Sequence, residues 1–247
     1  MRYLILSDIH SNLEALEAVL AAAARQYDAV LSLGDVVGYG ADPNAVVEKV
    51  RALKPVASIR GNHDKVAAGL DSSEDFNSLA RAAALWTQRT LSPSNLEYVR
   101  GLAAGPAIVD ADIEICHGSP LDEDFYIVAD VDAAHAIGAA KRRLCFFGHT
   151  HVAMCGRMDG RRRIEIQTPD GQPELEISLA DGVKYLINPG SVGQPRDGDA
   201  RAAYAVVDLT RGVVRLQRVA YHIEIAQKKI LEAGLPPPLA YRLGMGR

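Results

Sequence analysis

The sequence predicts an α/β fold, and two features of its apolar pattern carry that prediction. In the first third, short apolar runs at residues 3–6, 29–33 and 56–59 alternate with helical patterns at residues 12–25 and 43–53. Such alternation is typical of strand–helix–strand units with parallel strands. Toward the carboxyl end, short strand patterns separated by turn residues indicate antiparallel pairing instead.

Each of the first two helices has an apolar face and a recognisable start. The helix at residues 12–25 repeats apolar residues three and four apart, and Asn12 is a typical N-cap. The helix at residues 43–53 follows Asp42-Pro43, which matches an N-cap with proline in the first helical position. Amphipathic helices of this kind can each cover one face of a sheet.

The alternation stops at residues 67–105, where the pattern predicts two or three amphipathic helices. One covers residues 76–90, and the next begins after Ser92-Pro93. We interpret this segment as a helical insertion that lies over or beside the functional site. The region after it is predicted as two strands, a helix and a strand, at residues 108–109, 113–116, 131–140 and 144–147.

The last part of the chain is predicted to be mostly antiparallel. Asp159-Gly160 indicates a hairpin between strands at residues 152–158 and 161–167. Further strands are predicted at residues 174–178, 183–187, 203–208 and 213–219. A helix at residues 222–233 should end before Pro236, and we expect the tail, residues 236–247, to be disordered or to contact a partner. No linker is visible, so residues 1–247 predict a single domain.

The composition argues against several classes of protein. A net charge of −4 gives no reason to expect nucleic-acid binding. No run approaches the roughly 20 apolar residues that span a membrane, and no N-terminal signal segment is visible. Cys116, Cys145 and Cys155 are odd in number and unevenly spaced, which argues against a disulfide framework. We therefore expect a cytoplasmic protein and leave homo-oligomer formation open.

Short polar motifs follow the predicted strands and contain five of the seven histidines. They are Asp8-Ile9-His10, Gly34-Asp35, Gly61-Asn62-His63-Asp64, His117-Gly118 and Gly148-His149-Thr150-His151. Asp35 lies 27 residues after Asp8, and Asn62 lies 27 residues after Asp35, so one strand–helix unit separates successive motifs. This spacing places each motif at the carboxyl end of a strand, where open α/β sheets keep their ligand sites.

The motifs supply a mixed set of carboxylate, amide and imidazole donors. The candidate metal ligands are Asp8, His10, Asp35, Asn62, His117, His149 and His151. Two cations that share one carboxylate need about seven or eight protein ligands, so this set suffices for two ions. The nitrogen and oxygen mixture favours divalent Mn, Fe, Zn, Co or Ni over calcium. The sequence thus predicts a binuclear transition-metal site.

This set of motifs, which spans residues 8–151, resembles the calcineurin-like metallophosphoesterase superfamily and within it the compact bacterial and archaeal phosphodiesterase-type branch. The resemblance implies a two-sheet mixed β-sandwich flanked by helices, a four-layer fold. It implies that a first ion is held by Asp8, His10, Asp35 and His151. It implies that a second ion is held by Asp35, Asn62, His117 and His149, with Asp35 bridging. His63 matches the general acid, and Asp64 would orient its imidazole.

The reaction that the resemblance implies is hydrolysis of small phosphodiesters, and also of monoesters, by in-line attack of a hydroxide held between the ions. The chain has no arginine shortly after Asp35, unlike protein phosphatases and symmetrical dinucleoside tetraphosphatases of this family. The first alternative is a dinucleoside polyphosphate or nucleotide phosphohydrolase, and a second is an inactive scaffold. Amidohydrolase and β-lactamase-like enzymes do not fit, because they carry a His-x-His motif early in the chain.

Three further residues are candidates for contacts with the small phosphoester substrate. Arg60 precedes the Gly61 motif and could contact phosphate, or could be a surface arginine at a strand end. Arg196 lies in a glycine-rich loop and could offer a bidentate phosphate contact, or the loop could be a rigid turn. Tyr39 is a candidate wall on the leaving-group side.

Overall fold

The structure, a computed structural model that describes residues 1–247, contains two sheets of six strands each. The first sheet has the order β3-β2-β1-β11-β12-β9, with strands Ala57–Ser58, Ala29–Ser32, Arg2–Leu6, Ala202–Asp208, Val213–Val219 and Glu174–Ser178. The second has the order β4-β5-β6-β10-β7-β8, with strands Ala107–Ile108, Ile113–Ile115, Leu144–Phe146, Lys184–Asn188, Met154–Met158 and Ile164–Gln167.

Each sheet combines a parallel part with an antiparallel part. In the first sheet β1, β2 and β3 are parallel, while β11 runs antiparallel to β1 with Tyr3 opposite Val207. In the second sheet β5, β6 and β10 are parallel, and β4 and β7 pair with them antiparallel. Because parallel strands end at the same edge, the loops that follow each parallel set lie side by side.

The core explains why the sheets stack face to face. Alternate residues of a strand point to opposite faces. Ile5 of β1 therefore packs between the sheets in one cluster with Phe146 of β6. Leu4 faces the other way, toward an outer layer of helices that contributes Leu16. A third cluster joins Cys145 on the outer face of the second sheet to the helix that contains Ile137.

The helices complete four layers, helix, sheet, sheet and helix, and the predicted fold is confirmed. Their bounds, from α1 to α8, are Leu13–Ala22, Pro43–Leu53, Asn62–Ala67, Ser78–Thr90, Pro93–Arg100, Asp130–Ala139, Ile223–Glu232 and Pro237–Tyr241. A 3₁₀ turn covers Arg242–Met245. None of these helices combines the length and the apolar character that crossing a membrane requires.

The helix caps agree with the sequence in part. Asn12 caps α1, because its side chain accepts a hydrogen bond from the N–H of Ala15 at 3.1 Å. Ser92 caps α5 in the same way through the N–H of Asn95 at 3.3 Å. Asp42 does not cap α2, since its carboxylate pairs with Lys229 of α7 at 2.8 Å. The ion pair ties the carboxyl end of the chain to the start of α2.

The predicted helical insertion is present as α4 and α5. The helix α4 begins at Ser78 rather than at Phe76, because the side chain of Asn77 accepts hydrogen bonds from the N–H groups of Leu79 and Ala80. Phe76 is therefore free of the helix, and its ring lies 4.7 Å from the ring of His63. The insertion lies beside the predicted site.

The predicted hairpin connects β7 and β8, but its turn is longer than two residues. The N–H of Asp159 donates to the carbonyl of Arg163 at 3.2 Å, and Arg162 adopts a left-handed conformation with φ of 62°. The Asp159 carboxylate accepts from the N–H of Arg161 at 2.8 Å. The side chain thus holds the turn, and β8 begins only at Ile164.

The C-terminal tail is ordered, so the expectation that it is disordered was wrong, whereas the expected partner contact stays a prediction. Residues 237–245 form α8 and the 3₁₀ turn, because Pro237 begins a helix in the position that proline favours. Leu239 and Leu243 are buried in a cluster with Ile230 of α7 and Tyr39. The amide of Gln227 donates to the carbonyl of Ala240 at 3.0 Å. The tail is packed against its own chain.

Candidate metal centre

The polar motifs of the sequence meet where the parallel strands of both sheets end. The seven predicted ligands follow the carboxyl ends of β1, β2, β3, β5 and β6, in the order Asp8, His10, Asp35, Asn62, His117, His149 and His151. Six of them are buried, and Asn62 is partly exposed. The first sheet contributes the first four residues and the second sheet contributes the three histidines, so the site lies across both sheets.

The donor atoms form two groups that share Asp35. In the first group, donor atoms of Asp8, His10, Asp35 and His151 lie within 4.8 Å of one another. In the second group, donor atoms of Asp35, His117 and His149 do the same. The Oδ1 atom of Asn62 lies 3.3 Å from Nε2 of His117, at the edge of the second group. The two histidines of Gly-His-Thr-His therefore serve different groups, as the motif spacing predicted.

Backbone carbonyls fix the tautomers of the two histidines in the first group. Nδ1 of His10 lies 3.1 Å from the carbonyl of Val37, and Nδ1 of His151 lies 2.6 Å from the carbonyl of Gln194. A carbonyl only accepts, so each Nδ1 must carry a proton and each neutral ring presents a lone pair at Nε2. Those two Nε2 atoms face each other at 3.2 Å.

The second group is built on the same principle. Nδ1 of His117 donates to the carbonyl of Leu33 at 2.8 Å, which leaves Nε2 as its acceptor. His149 uses the opposite nitrogen, because its Nε2 donates to the carbonyl of Asp124 at 3.0 Å. Nδ1 of His149 therefore faces Nε2 of His117 at 3.2 Å. Backbone acceptors of this kind orient metal-binding imidazoles.

This arrangement fits cations. Four imidazole lone pairs and two carboxylates converge with no donor between them, which is repulsive unless positive charge lies in the middle. Nε2 of His151 is 3.2 Å from Oδ1 of Asp8, and Nε2 of His10 is 3.5 Å from Oδ2 of Asp35. Such separations suit ligands that are each about 2.0–2.2 Å from a shared ion. The residues present therefore fit divalent metal binding, and the number of ions remains a prediction.

The electrostatics of the cluster show the same demand for positive charge. Burial lowers the pKa of His117, but the charge of Asp35, its hydrogen bond to His117, the charge of Asp8 and the carbonyl of Leu33 together raise that pKa to about 10. Burial raises the pKa of Asp35, but the charge of His117 and its hydrogen bond to Asp35 help to hold that pKa well below its usual range. Burial lowers the pKa of His149 to about 3. The buried carboxylates stay ionised and attract whichever cation is available, a proton or a metal.

Five of the candidate ligands have an unusual backbone. Their φ values are positive, in the left-handed region, for Asp8 (53°), His10 (49°), Asp35 (51°), His149 (66°) and His151 (60°). Non-glycine residues rarely adopt this conformation, which costs on the order of 1–3 kcal/mol per residue. Neighbouring loops hold the strained residues in place, since the N–H of His10 donates to the carbonyl of Asp35 at 2.9 Å. Such strain is concentrated at functional sites.

The glycines of two motifs make room for this close approach. A Cβ on Gly61 would lie 2.1 Å from Oδ1 of Asp35, and a Cβ on Gly148 would lie 2.0 Å from Oγ of Ser7. Ser7 in turn donates to Oδ2 of Asp8 at 2.6 Å. Any side chain at either glycine would therefore displace a carboxylate of the cluster.

His63 lies against the centre, enclosed by aromatic rings. Its ring centroid is 4.3 Å from that of Tyr39 and 4.9 Å from that of His10. Its Nδ1 is buried with no hydrogen-bond partner. Burial lowers the pKa of His63 to about 4, although the charge of Asp35 opposes that shift. The imidazole is therefore neutral in the substrate-free protein at pH 7.

Asp64 was expected to orient the imidazole of His63, but its carboxylate forms no hydrogen bond with that ring. Its carboxylate accepts hydrogen bonds from the N–H groups of Val36 at 3.2 Å, Val37 at 3.0 Å and Gly61 at 3.1 Å. Burial raises the pKa of Asp64 to about 7, with the charge of Asp35 adding to the shift. Asp64 thus links the backbone that follows Asp35 to the backbone at Gly61.

The three candidate substrate contacts separate into two kinds. Arg60 forms an ion pair with Glu123, with Nη2 to Oε1 at 2.9 Å, so its guanidinium is already paired. Tyr39 lies in the centre, with its ring 4.6 Å from that of His10. Nη2 of Arg196 lies 3.3 Å from the hydroxyl oxygen of Tyr39 and donates to it. The structure places Tyr39 and Arg196 at the site and assigns Arg60 a structural partner.

A cleft of about 250 Å³ opens beside the second group. Its lining includes Asn62, His63 and His149, together with the rings of Phe76 and Tyr126. The Tyr126 ring lies 3.8 Å from that of His149. Neither aromatic residue was singled out as a site residue from the sequence, because each lies outside the motifs and Phe76 was expected to be the first residue of a helix.

A third residue that the sequence did not indicate is Arg242, in the 3₁₀ turn. Its Cζ lies 4.3 Å from the centre of the Tyr39 ring. No local pattern could have identified it, since it lies in the tail that was expected to be disordered or to contact a partner.

Comparison with known proteins agrees with the fold and the motifs. Residues 1–212 match the model of the calcineurin-like phosphoesterase superfamily domain. The chain is 38% identical to the uncharacterized protein MJ0912 of Methanocaldococcus jannaschii, over 98% of this chain and 97% of that protein. It is similar to the crystal structure of a metallophosphoesterase from Sphaerobacter thermophilus, with a TM-score of 0.89, 42% identity and coverage of 100% and 99% of the two chains.

The fold is also similar to that of the hypothetical protein PH1004 from Pyrococcus horikoshii. That structure has a TM-score of 0.79 at 19% identity, with coverage of 100% of this chain and 98% of that chain. The fold and the motif set thus agree with the family model and with the relative at 38% identity. The chain belongs to the calcineurin-like phosphoesterase superfamily.

Proposed function

We propose that this protein is a binuclear metal-dependent phosphoesterase that hydrolyses small phosphodiesters. One observation carries the proposal, namely two groups of donor atoms that share Asp35 beside an open cleft. Asp8, His10, Asp35 and His151 would hold one ion, and Asp35, Asn62, His117 and His149 would hold the other. Two divalent ions from the set Mn, Fe, Zn, Co and Ni would activate water and neutralise the charge of the phosphate oxygens.

His63 is the proposed general acid for the leaving group. Its ring lies next to His10 of the first group and lines the cleft with Asn62. A departing alkoxide needs a proton, and a positioned imidazole that supplies one contributes typically 10²–10⁴-fold to the rate. The negative charge of a bound phosphate would offset the burial that lowers the pKa of His63.

The preference for diesters rests on the leaving-group side of the site. The rings of Phe76 and Tyr126 form apolar walls of the cleft, and these suit an organic group on the leaving oxygen. The residues after Asp35 are Val36, Val37 and Gly38, so no guanidinium from this loop grips the dianion of a monoester.

The first alternative is a dinucleoside polyphosphate or nucleotide phosphohydrolase. It is favoured by the two guanidiniums beside Tyr39, which come from other parts of the chain. The Cζ atoms of Arg196 and Arg242 lie 5.8 Å and 4.3 Å from the centre of the Tyr39 ring. Both linkages can be cleaved by the same metal chemistry, so only the surrounding contacts separate the two activities.

A substrate panel tests the proposal. The Mn²⁺-loaded protein is assayed with bis(p-nitrophenyl) phosphate, p-nitrophenyl phosphate and diadenosine tetraphosphate, with EDTA-treated protein as the control. We expect the highest kcat/KM for the diester and loss of activity in the control. Clear preference for the tetraphosphate would overturn the diester assignment. Absence of turnover together with only trace metal after Mn²⁺ loading would instead indicate an inactive scaffold.

We also propose a reducing cytoplasmic location for the protein. Cys116, Cys145 and Cys155 are all free and buried. The Sγ atoms of Cys116 and Cys145 lie 3.7 Å apart without a bond. Neighbouring free thiols are usual where glutathione and thioredoxin keep cysteines reduced. Fractionation of cells of the source organism with an antibody against the protein tests this.

A further inference from the structure

Two arginines from distant parts of the chain converge on the ring of Tyr39. Cζ of Arg242 lies 4.3 Å from the ring centre, and Cζ of Arg196 lies 5.8 Å from it. Arg196 also donates from Nη2 to the Tyr39 hydroxyl oxygen at 3.3 Å. Arg60 pairs with Glu123, whereas no carboxylate lies within ion-pair distance of Arg196 or Arg242.

The hydrogen-bond donors around Tyr39 outnumber the acceptors. Nε and Nη2 of Arg242 are buried and have no hydrogen-bond partner. Nε2 of Gln194 is also buried without a partner, while Oε1 of the same side chain accepts from Arg196 at 3.3 Å. A guanidinium with two buried nitrogens and no acceptor for them is unfavourable, and burial lowers the pKa of Arg242 accordingly. An oxyanion beside Arg242 would supply acceptors for those two nitrogens and for Nε2 of Gln194.

The folded tail is joined to the loop that contains Arg196, and this contact fixes the position of Arg242 relative to Arg196. The N–H of Gly198 donates to the carbonyl of Gly246 at 3.0 Å, which joins the end of the chain to the loop that contains Arg196. Gly246 has φ of 63°, and a Cβ there would lie 2.6 Å from the backbone nitrogen of Asp199. Both guanidiniums are therefore held on one side of the site by the same contact.

Their position relative to the metal groups suggests which part of a substrate they would bind. The Tyr39 ring separates Arg242 from the centre, since its other neighbours are His10 at 4.6 Å and His63 at 4.3 Å. A phosphate at the two donor groups would thus lie on the inner side of Tyr39, next to Arg196. The donors of Arg242 are left for a group farther out.

We propose that Arg242, together with Arg196 and Gln194, forms an anion subsite that binds a second phosphate-type group of the substrate, next to the phosphate at the metal centre. The inference rests on the proposed function in one respect only, that the anion belongs to the substrate. Among the proposed phosphodiester substrates, Arg242 is a specificity-determining residue that selects those with a second anionic group linked to the scissile phosphate.

The test measures binding of probes that cannot be hydrolysed. Methylphosphonate carries one anionic group and methylenediphosphonate carries two, and both are titrated calorimetrically into the full-length protein with Mn²⁺ in excess. We expect the wild type to bind the diphosphonate at least tenfold more tightly. Arg242→Gln should weaken diphosphonate binding about tenfold or more and leave methylphosphonate binding within twofold. Arg247→Gln, an exposed arginine in the same tail, is the matched control and should change neither affinity.

Other outcomes overturn the proposal. If Arg242→Gln weakens both probes equally, or neither, Arg242 does not form a second subsite and acts on the first phosphate or only in packing. Thermal melting and metal analysis of each variant show whether it is folded and loaded, and Arg242→Lys keeps the charge if the glutamine variant is unstable. No hydrolysis is measured, so a wild type that fails the substrate panel leaves this result intact.

Discussion

Two parts of the site are built in different ways. We call the seven donor residues the floor, and we call Phe76, Tyr126 and Arg242 the walls. On the floor, each donor lies two to five residues beyond the end of a parallel strand, as Asp8 follows Leu6 and His117 follows Ile115. On the walls, Phe76, Tyr126 and Arg242 come from an insertion, a long loop and the C-terminal tail. The floor follows from strand order, whereas the walls depend on contacts between segments that are remote in the sequence.

This difference suggests that the floor residues carry out catalysis and that the wall residues determine which substrate is bound. Six of the seven floor residues are buried and five have a left-handed backbone, and backbone hydrogen bonds hold their loops, so they can present donors in only one arrangement. Wall residues are partly exposed and contact the floor through ring packing, as Tyr126 does with His149. We therefore expect changes on the floor to remove catalysis and changes on the walls to alter which substrate is bound.

The largest effect should come from the bridging carboxylate. Asp35→Ala removes the one side chain that both donor groups share, so we expect both ions to be lost together. Because a metal ion supplies several kcal/mol of transition-state stabilisation, kcat/KM should fall by at least about 10³-fold. Metal content per chain, measured by plasma emission spectrometry, is read beside the rate.

A matched variant makes this test specific. Asp181→Ala changes an exposed aspartate away from the centre and should retain metal and activity. If Asp35→Ala loses one ion but keeps the other fully bound, Asp35 is not a bridging ligand. The donor groups would then be independent sites.

The next effect in size concerns His63, which touches the floor without belonging to either donor group. His63→Ala should keep both ions and reduce kcat by about 10²-fold or more, because the leaving alkoxide then departs without a proton donor. The loss should be smaller for p-nitrophenyl esters, whose leaving group needs little protonation, than for alkyl esters.

His135→Ala, at an exposed position on α6, is the control. Loss of both ions from His63→Ala would show that the residue is a ligand or a structural support. An equal loss of rate for aryl and alkyl esters would contradict a role in protonating the leaving group.

The sequence was sufficient to predict which residues form the floor, because their positions depend on local features of the chain. Strand ends and the 27-residue spacing of the motifs bring Asp8, Asp35 and Asn62 to one edge, and the structure groups the side chains as the motifs implied. Metal binding by those residues remains a prediction. The α/β class followed from the same alternation of strands and helices, whereas the arrangement in two sheets and four layers was implied by the family resemblance.

The sequence was insufficient where a partner lies far along the chain. Arg60 looked available for phosphate, but Glu123, which is 63 residues later, pairs with it. Asp64 looked like a support for its neighbour His63, but the left-handed backbone at Asp35 turns the N–H groups of Val36 and Val37 toward it. Neither partner can be identified without the folded chain.

A smaller effect, on stability rather than on the chemical step, should follow from Asp64. Asp64→Ala leaves three buried backbone N–H groups without their acceptor, which should cost about 3 kcal/mol in the free energy of unfolding. For a chain of this size that corresponds to a fall in Tm of about 6–12 °C, measurable by calorimetry. Metal affinity should fall with it, because the same backbone positions Asp35.

This prediction distinguishes two roles of Asp64, namely stabilising the backbone near Asp35 and orienting the imidazole of His63. If Asp64 oriented the imidazole instead, Asp64→Ala would reproduce the ester dependence of His63→Ala with little change in Tm. Asp181→Ala again serves as the exposed control, and its Tm should match that of the wild type.

The smallest effect should come from the aromatic wall. Tyr126→Ala removes a ring that lies 3.8 Å from His149 and lines the cleft, so it should weaken binding of an organic leaving group. An aromatic contact of this kind is worth about 0.5–1.5 kcal/mol, which corresponds to a rise in KM of roughly 2- to 12-fold. The value of kcat should stay within about twofold, because the lost contact binds the ground state and the transition state equally and the donor groups are unchanged.

Val128→Ala, in the same loop but more exposed and outside the cleft, should leave KM unaltered. A fall in kcat with constant KM would instead show that Tyr126 acts on the transition state, and the wall would then share in the chemistry assigned to the floor.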